Sequence, residues 1–236
     1  MAILAIETST DQLGVAVVDE RGVAASYAVV AERIHAVELP AAVTKVLQAA
    51  GTTLKDLDAL VIDIGPGSFT GLRIGVAFVK ALAFTHKTPV LGIPSLDVLA
   101  AQLPYAQPLV CPILDAKQKK VYAAVYRTAD GAVTEQTDHV LLSVDELAPL
   151  LGNGPVLLVG NGIAVYRERL SSLLGTRAHF AAPDLWWPGA ATLGRLGLER
   201  LAAGQKDDPS TLVPMYLHPR DCTIRPEVKA ALKIPT

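Results

Sequence analysis

The residue types and spacing best suited to chemistry lie in residues 61–75, read V-I-D-I-G-P-G-S-F-T-G-L-R-I-G. Residues 59–64 form an apolar, β-branched run in which only Asp63 is charged, the pattern of a buried strand. Gly65-Pro66-Gly67 interrupts it, since glycine reaches backbone angles closed to other residues and proline lacks a ladder donor. Ser68 or Thr70 then caps a helix that the pattern carries to Thr85 or His86. Strand, glycine turn and helix start together direct free N–H groups outward, a geometry that suits an anion. The same residues also make a compact corner, and spacing does not separate the two readings. A second polar turn, Glu7-Thr8-Ser9-Thr10-Asp11, follows the first predicted strand, and turn chemistry accounts for its hydroxyls as well as phosphate contact does.

The remaining chain narrows the chemistry. Its five histidines, at 35, 86, 139, 179 and 218, include no pair at i, i+4, so helical metal motifs of the HExxH or HxxxH type are absent. There is no GxSxG elbow, and no lysine follows the central glycines as a phosphate-binding P-loop requires. Glu7, Asp63 and Asp115 sit near predicted strand ends, where they could face one cleft or simply be solvated. The cysteines, Cys111 and Cys222, are far apart in sequence and form no CxxC, which fits a reducing compartment. A formal net charge of −2 and no basic run beyond Lys117, Lys119 and Lys120 argue against autonomous binding of nucleic acid. The N-terminus lacks a basic segment followed by a long apolar one, and Lys80 interrupts the longest apolar stretch. A cytoplasmic protein without a membrane segment is the expectation.

Positioning these turns requires a particular order of elements. Residues 2–7, 13–19 and 23–30 read as a β-meander, residues 34–50 as a helix stopped by Gly51, and residues 89–93 and 95–103 as a further strand and helix. That βββαβαβα order matches one ribonuclease-H-like lobe, a mixed sheet with helices packed on it. Pro104, Pro108 and Pro112 mark a boundary, giving an N-terminal lobe over 1–104 and a smaller C-terminal lobe with a tail over 105–236. The second half repeats the opening more weakly, with strands near 109–114, 120–126, 140–143 and 156–159. A capping box runs from Ser143 to Glu146, and helices cover 163–174 and 188–203. Similar openings in both halves suggest an internal duplication.

Both helices of the first lobe carry more apolar surface than one packed face uses. On the central helix Leu72, Val76, Val79 and Ala83 make one face and Ile74, Phe78, Ala81 and Leu82 another, with Arg73 and Lys80 on a narrow polar stripe. On the preceding helix Leu39, Val43, Val46, Leu47 and Ala50 keep helical spacing, while Ala41, Ala42 and Ala49 lie off that stripe. Burial within the chain and docking of a partner both explain the pattern.

Several motifs together carry a resemblance over nearly the full length, strongest through residue 100. They are Glu7-Thr8-Ser9-Thr10, the run from Gly65 to Gly75, Gly92-Ile93-Pro94-Ser95-Leu96-Asp97, Asp115-Ala116-Lys117, Val121-Tyr122 and Pro214-Met215-Tyr216-Leu217. The chain resembles the TsaB family of the glycoprotease-like proteins. The resemblance implies a two-lobed, actin-like α/β fold with a mixed sheet in each ribonuclease-H-like lobe. It implies a non-catalytic scaffold that binds and activates its paralogue TsaD in forming threonylcarbamoyladenosine beside the anticodon of tRNA. TsaE would join the pair, tRNA would be touched only indirectly, and the protein alone would form a homodimer through the same N-terminal helices. The docking face would then comprise Ala41, Ala42, Ala49, Ile74, Phe78 and Leu82 with Arg73 at the rim. No catalytic residue, metal ligand or cofactor is implied. The second and third histidines of the paralogue's His-His-x-x-x-His metal motif fall on Ser95 and Leu99, and only Gly160-Asn161-Gly162 stands for its second glycine turn. Asp115-Ala116-Lys117 departs from the phosphate turn of actin-like kinases, and His218 stands where relatives often have arginine. Two enzyme readings remain as alternatives: an actin-like nucleotide-binding enzyme, using Thr8, Ser9 and Thr10 as a phosphate loop, and a glycoprotease-like metalloprotease.

Overall fold

Two mixed sheets, each flanked by helices, organise the chain in a computed structural model that describes residues 1–30 and 35–217. The first sheet contains β1 (Ala2–Glu7), β2 (Gln12–Asp19), β3 (Gly22–Val30), β4 (Ala59–Gly65) and β5 (Val90–Pro94), in the order β3-β2-β1-β4-β5. The meander pairs antiparallel, while β1, β4 and β5 run parallel. The parallel strands need crossover helices, here α1 (His35–Ala50) between β3 and β4 and α2 (Phe69–His86) between β4 and β5. Strand alternation sends Leu4, Ile6, Leu60 and Ile62 into a core closed by Leu39, Val43 and Val46 of α1 and Val76, Val79 and Ala83 of α2. Ile3, Ala5, Val61 and Ile93 face the opposite side. The predicted helix start at Ile34 lies outside the described residues. His35, the first described residue of α1, is buried, and its Nε2 lies 3.3 Å from the carbonyl oxygen of Gln12.

The second sheet is built on β6 (Leu109–Asp115), with β7 (Lys120–Ala123), β8 (Tyr126–Ala129), β9 (Ala132–Glu135), β10 (Val140–Ser143), β11 (Val156–Val159) and β12 (Ala178–Phe180). Its spine is β10-β7-β6-β11-β12, and β8 branches from β6 to carry β9. The single strand expected over 120–126 is therefore two short ones. The Ser143–Glu146 capping box is present, opening a short 3-10 turn before α4 (Leu147–Leu151), and α5 (Gly162–Leu174) covers the sheet. Between the lobes runs α3 (Ser95–Ala101), whose Leu96 and Leu99 belong to the second core while Val98 belongs to the first.

The boundary at residue 104 does not divide the structure cleanly. Helix α6 (Ala190–Ala202), assigned from sequence to the C-terminal lobe, packs under the first sheet against β1, β2, β4 and β5. Gly194 and Gly197 permit this, because a Cβ at either would collide with Val18 or Val61. The following segment also returns to the first lobe: Asp207 accepts from the backbone N–H of Gly92 at 2.8 Å, and Lys80 donates to the carbonyls of Ser210 and Leu212. Helix α6 and the strap that follows thus pack with the first sheet. The two lobes share one plan, since the order β3-β2-β1-β4-β5 of the first sheet recurs as β10-β7-β6-β11-β12 in the second.

Candidate functional site

The glycine run does its work through close approach. A side chain on Gly67 would collide with the Ser9 carbonyl, and one on Gly71 with the Thr8 carbonyl. The Ser9 carbonyl accepts the Ser68 N–H at 2.6 Å, and Ser68 Oγ caps α2 by accepting the Gly71 N–H at 3.3 Å. The two polar turns singled out in the sequence therefore form one interlocked unit, and the free N–H groups at the start of α2 are partly taken up within it. Thr8 is not presented to any ligand, since its side chain turns towards Gly75 of α2, buried and with its Oγ1 unpartnered. Ser9 and Thr10 line an interlobe cleft of about 340 Å³ with Asp11, Ser68, Phe69, Asp115, Lys117, Asn161 and Tyr216. The Ser9 hydroxyl donates away from the cleft to Glu7, and Thr10 Oγ1 accepts the Gln12 N–H at 3.2 Å. Across the cleft Asn161 Oδ1 accepts the Asp115 N–H at 2.9 Å, and Lys117 Nζ pairs with Asp115 at 2.8 Å.

Behind the cleft wall lie two carboxylates with no solvent exposure, Glu7 at the end of β1 and Asp63 on the adjacent β4. The parallel register pairs Ile6 with Ile62, so the two acids follow on neighbouring strands and share a face. Ser9 donates its N–H and hydroxyl to Glu7 Oε1, while Asp63 Oδ1 accepts the Gly65 N–H at 2.7 Å and the Ser95 hydroxyl at 2.6 Å. The second oxygen of each acid has no partner. Burial, and then the charge of Asp63, holds the Glu7 carboxyl well above the usual carboxylate range. Burial likewise pushes Asp63 up to about 7 despite its hydrogen bonds.

On the helices, the structure sorts the sequence-predicted docking residues. Ala41 and Ala49 of α1 are exposed, as is Arg73 of α2. Ile74, Phe78 and Leu82 are half-buried at the edge of the first core, with one side still turned outward. Ala42 is a correction: it is fully buried, because the face of α1 that carries Leu39, Val43 and Val46 is wide enough to take it into the core. Residues outside the predicted docking set complete the outward surface. Val37 is 82% exposed, Phe84 60% and Phe69 56%, with Ala77 and Ala81 exposed between them. Lys45 on this side is neutralised by Glu38 at 3.0 Å, which also accepts from Tyr27. The Arg73 guanidinium lies 4.6 Å from the centre of the Phe69 ring, and Tyr216 packs on that ring at 5.4 Å.

A further polar cluster joins the lobes. Tyr126 donates to Asp97 of α3 at 2.6 Å, and His139 Nε2 lies 3.1 Å from the same oxygen and 3.4 Å from Glu135. His139 Nδ1 lies 3.5 Å from the sulfur of Met215, on the strap. Sequence reasoning missed this cluster: Tyr126 opens the short strand Tyr126-Arg127-Thr128-Ala129, and no local spacing marks its hydroxyl for a partner. Ser95 and Leu99, the positions of the paralogue's histidines, are buried, one bonded to Asp63 and the other in the apolar core. Among the described residues no group of three or more histidine, cysteine, aspartate or glutamate side chains is arranged to hold a metal, and no helix is long and apolar enough to cross a membrane.

Comparison with known proteins agrees with this architecture. The family model described as "TsaD: tRNA N6-adenosine threonylcarbamoyltransferase" matches residues 24–223. The tRNA threonylcarbamoyladenosine biosynthesis protein TsaB of Bacillus subtilis is 34% identical over 219 residues, covering 92% of this chain and 94% of that protein. A tRNA N6-adenosine threonylcarbamoyltransferase of Methylorubrum extorquens is 28% identical, and the match spans only 70% of its length. Among solved structures, YeaZ from Pseudomonas aeruginosa superposes with a TM-score of 0.80 at 30% identity, over 92% of this chain and 99% of that one.

Proposed function

This chain belongs to the TsaB family of tRNA threonylcarbamoyladenosine biosynthesis proteins, and on that footing we propose that it is a non-catalytic subunit whose α1 and α2 dock onto TsaD and activate it. Its part in threonylcarbamoyladenosine biosynthesis is then structural, with TsaE joining the assembly, tRNA held by the other components, and the whole acting in the cytoplasm. The observation that supports this most is the outward surface of the helix pair. Val37, Ala41, Ala77, Ala81 and Phe84 are exposed, flanked by the half-buried Ile74, Phe78 and Leu82, and among the described residues the face presents no unpaired acid. Small residues allow close helix–helix approach, and the larger apolar ones lose water on contact. A second copy of the chain offers the same surface, so the protein alone forms a homodimer that exchanges into the heteromer.

Size-exclusion chromatography with light scattering, on the protein alone and mixed with TsaD, tests the reading. Exchange of a homodimer into a heteromer supports it, whereas a monomer indifferent to TsaD overturns it. The interlobe cleft keeps one enzyme reading in view, a nucleotide-dependent activity. Titration calorimetry with magnesium and ATP distinguishes it, and saturable heat would move the cleft into first place. The metalloprotease reading has less support, because serine and leucine at 95 and 99 offer no imidazole.

A further inference from the structure

Glu7 and Asp63 take no part in the docking surface, yet their arrangement is costly unless something balances it. Both are wholly buried, they sit on adjacent strand ends, and they face the same side of the sheet. The bonded oxygen of each is held by hydroxyls and backbone N–H groups, and the other oxygen of each is unpartnered. The Ser9 hydroxyl donates to Glu7, and the parallel register sets Asp63 beside Glu7 on the neighbouring strand. Among the described residues, the groups packed around them do not supply a counter-charge. Helix α3 contributes Ser95 and Asp97, the latter a further negative charge bearing on Asp63. At Gly14, β2 meets Glu7 without a side chain of its own, and α6 brings only Ala190. The start of α2 contributes Gly67 and Ser68 through the Ser9 carbonyl. Arg195 of α6 is turned to Glu199 and the Ala101 carbonyl. On the cleft side stand Thr10 and Asp11, and beyond them Asp115 with Lys117.

Two ionised carboxylates side by side on neighbouring strands and cut off from water are not a stable state, and a proton is the smallest species that relieves it. We propose that Glu7 and Asp63 share one proton, and that this proton holds the Ser9 turn against the start of α2. The pair is then a pH-sensitive pin under the docking helix. Losing the proton leaves adjacent negative charges behind Ser9, and the turn is the part that can yield. Ser9 is tied to Gly67 and Ser68 with no free space between them, so movement of Ser9 carries the first turn of α2 with it. The upward displacement of both carboxyls from their ordinary range agrees with retention of a proton near neutrality. Where the docking reading given above holds, the same pin makes association with TsaD weaken as pH rises, but the pin itself does not depend on that reading.

Infrared spectroscopy of the protein alone tests the proton directly, because the C=O stretch of a protonated carboxyl lies apart from the carboxylate bands. The expected spectrum at pH 6 contains a protonated-carboxyl band that declines as pH rises from 6 to 9 and is missing from the Glu7→Gln/Asp63→Asn double variant. Absence of the band in the unaltered protein overturns the proposal without need of any variant. Hydrogen exchange at residues 68–72, corrected for the intrinsic effect of pH, tests the mechanical part. About tenfold faster exchange is expected at pH 9 than at pH 6 in the unaltered protein, and no such excess in the double variant. Equal behaviour of the two proteins overturns the link to α2. Should the double variant fail to fold, Ser9→Ala removes only the hydroxyl that donates to Glu7, and an unshifted band midpoint in that variant counts against the shared site. Failure of docking with an intact band would refute the partner reading only.

Discussion

Gly71 of α2 lies flush against the carbonyl of Thr8, so closely that no Cβ fits between them. The polar turn after β1 and the first turn of α2 are therefore one packed unit, although Thr8 and Gly71 are 63 positions apart in sequence. Gly71→Ala is expected to push the two apart at a cost of about 1–3 kcal/mol, the usual range for overpacking. Denaturant titration should show the loss, and stability equal to the unaltered protein would mean that the turn adapts freely.

The acid pair gives stability a definite dependence on pH. The Asp63 carboxyl titrates near 3.8 when unfolded and at about 7 in the fold, so the folded state binds its proton more tightly. Its contribution is fully present below the unfolded value and is lost as pH rises through about 7. At roughly 1.4 kcal/mol for each unit of difference, the loss is on the order of a few kcal/mol. Glu7, displaced in the same direction, extends the decline to higher pH. Urea titrations at pH 5 and pH 8 should show the protein losing stability relative to Asp63→Asn. A difference of opposite sign would mean that the buried acids are ionised and compensated.

How far the sequence disclosed this structure depends on whether the signal was local. The strand, turn and helix of residues 59–86 were legible because periodicity, glycine, proline and a capping serine all agree within one short stretch. The path of α6 was not legible, because nothing near Pro188 says which sheet a helix will meet. Only the spacing of Gly194 and Gly197 hints at a close approach. On α1 the error at Ala42 has the same origin. A helical wheel places it beside the apolar stripe, and the breadth of the buried face depends on how α1 packs on the first sheet, which sequence does not display. The Asp97–Tyr126–His139 cluster joins residues from both lobes and so carries no local pattern at all.

That cluster is expected to fix the angle between the lobes. Asp97 accepts from Tyr126, which is buried, and approaches His139 through the same oxygen. Asp97→Ala leaves the tyrosine hydroxyl with less to bond, a loss on the order of 1–3 kcal/mol for a hydrogen bond to a charged group. The readouts are a lowered unfolding midpoint and faster proteolysis in the connection after α3. Tyr126→Phe should be milder, since the hydroxyl and its need for a partner leave together. Equal losses from both variants would show that packing of the ring, rather than the bond to Asp97, joins the lobes.

The docking face is best tested where the monomer has least to lose. Ala41 and Ala77 are exposed and small, so Ala41→Glu and Ala77→Asp should alter the stability of the isolated protein by no more than about 0.5 kcal/mol. In a helix-to-helix contact either charge is buried without a partner, and an expected cost of at least ~1.4 kcal/mol weakens association about tenfold or more. Phe78→Asp should weaken it too, but less cleanly, because the Phe78 ring also packs against the core of its own lobe and its loss lowers monomer stability. Light scattering after gel filtration gives the assembly state, and calorimetric titration against TsaD gives the affinity. If Ala41→Glu and Ala77→Asp bind TsaD as tightly as the unaltered chain, the helix pair is not the docking face. The exposed Val37 and Phe84 beside them would then need another explanation.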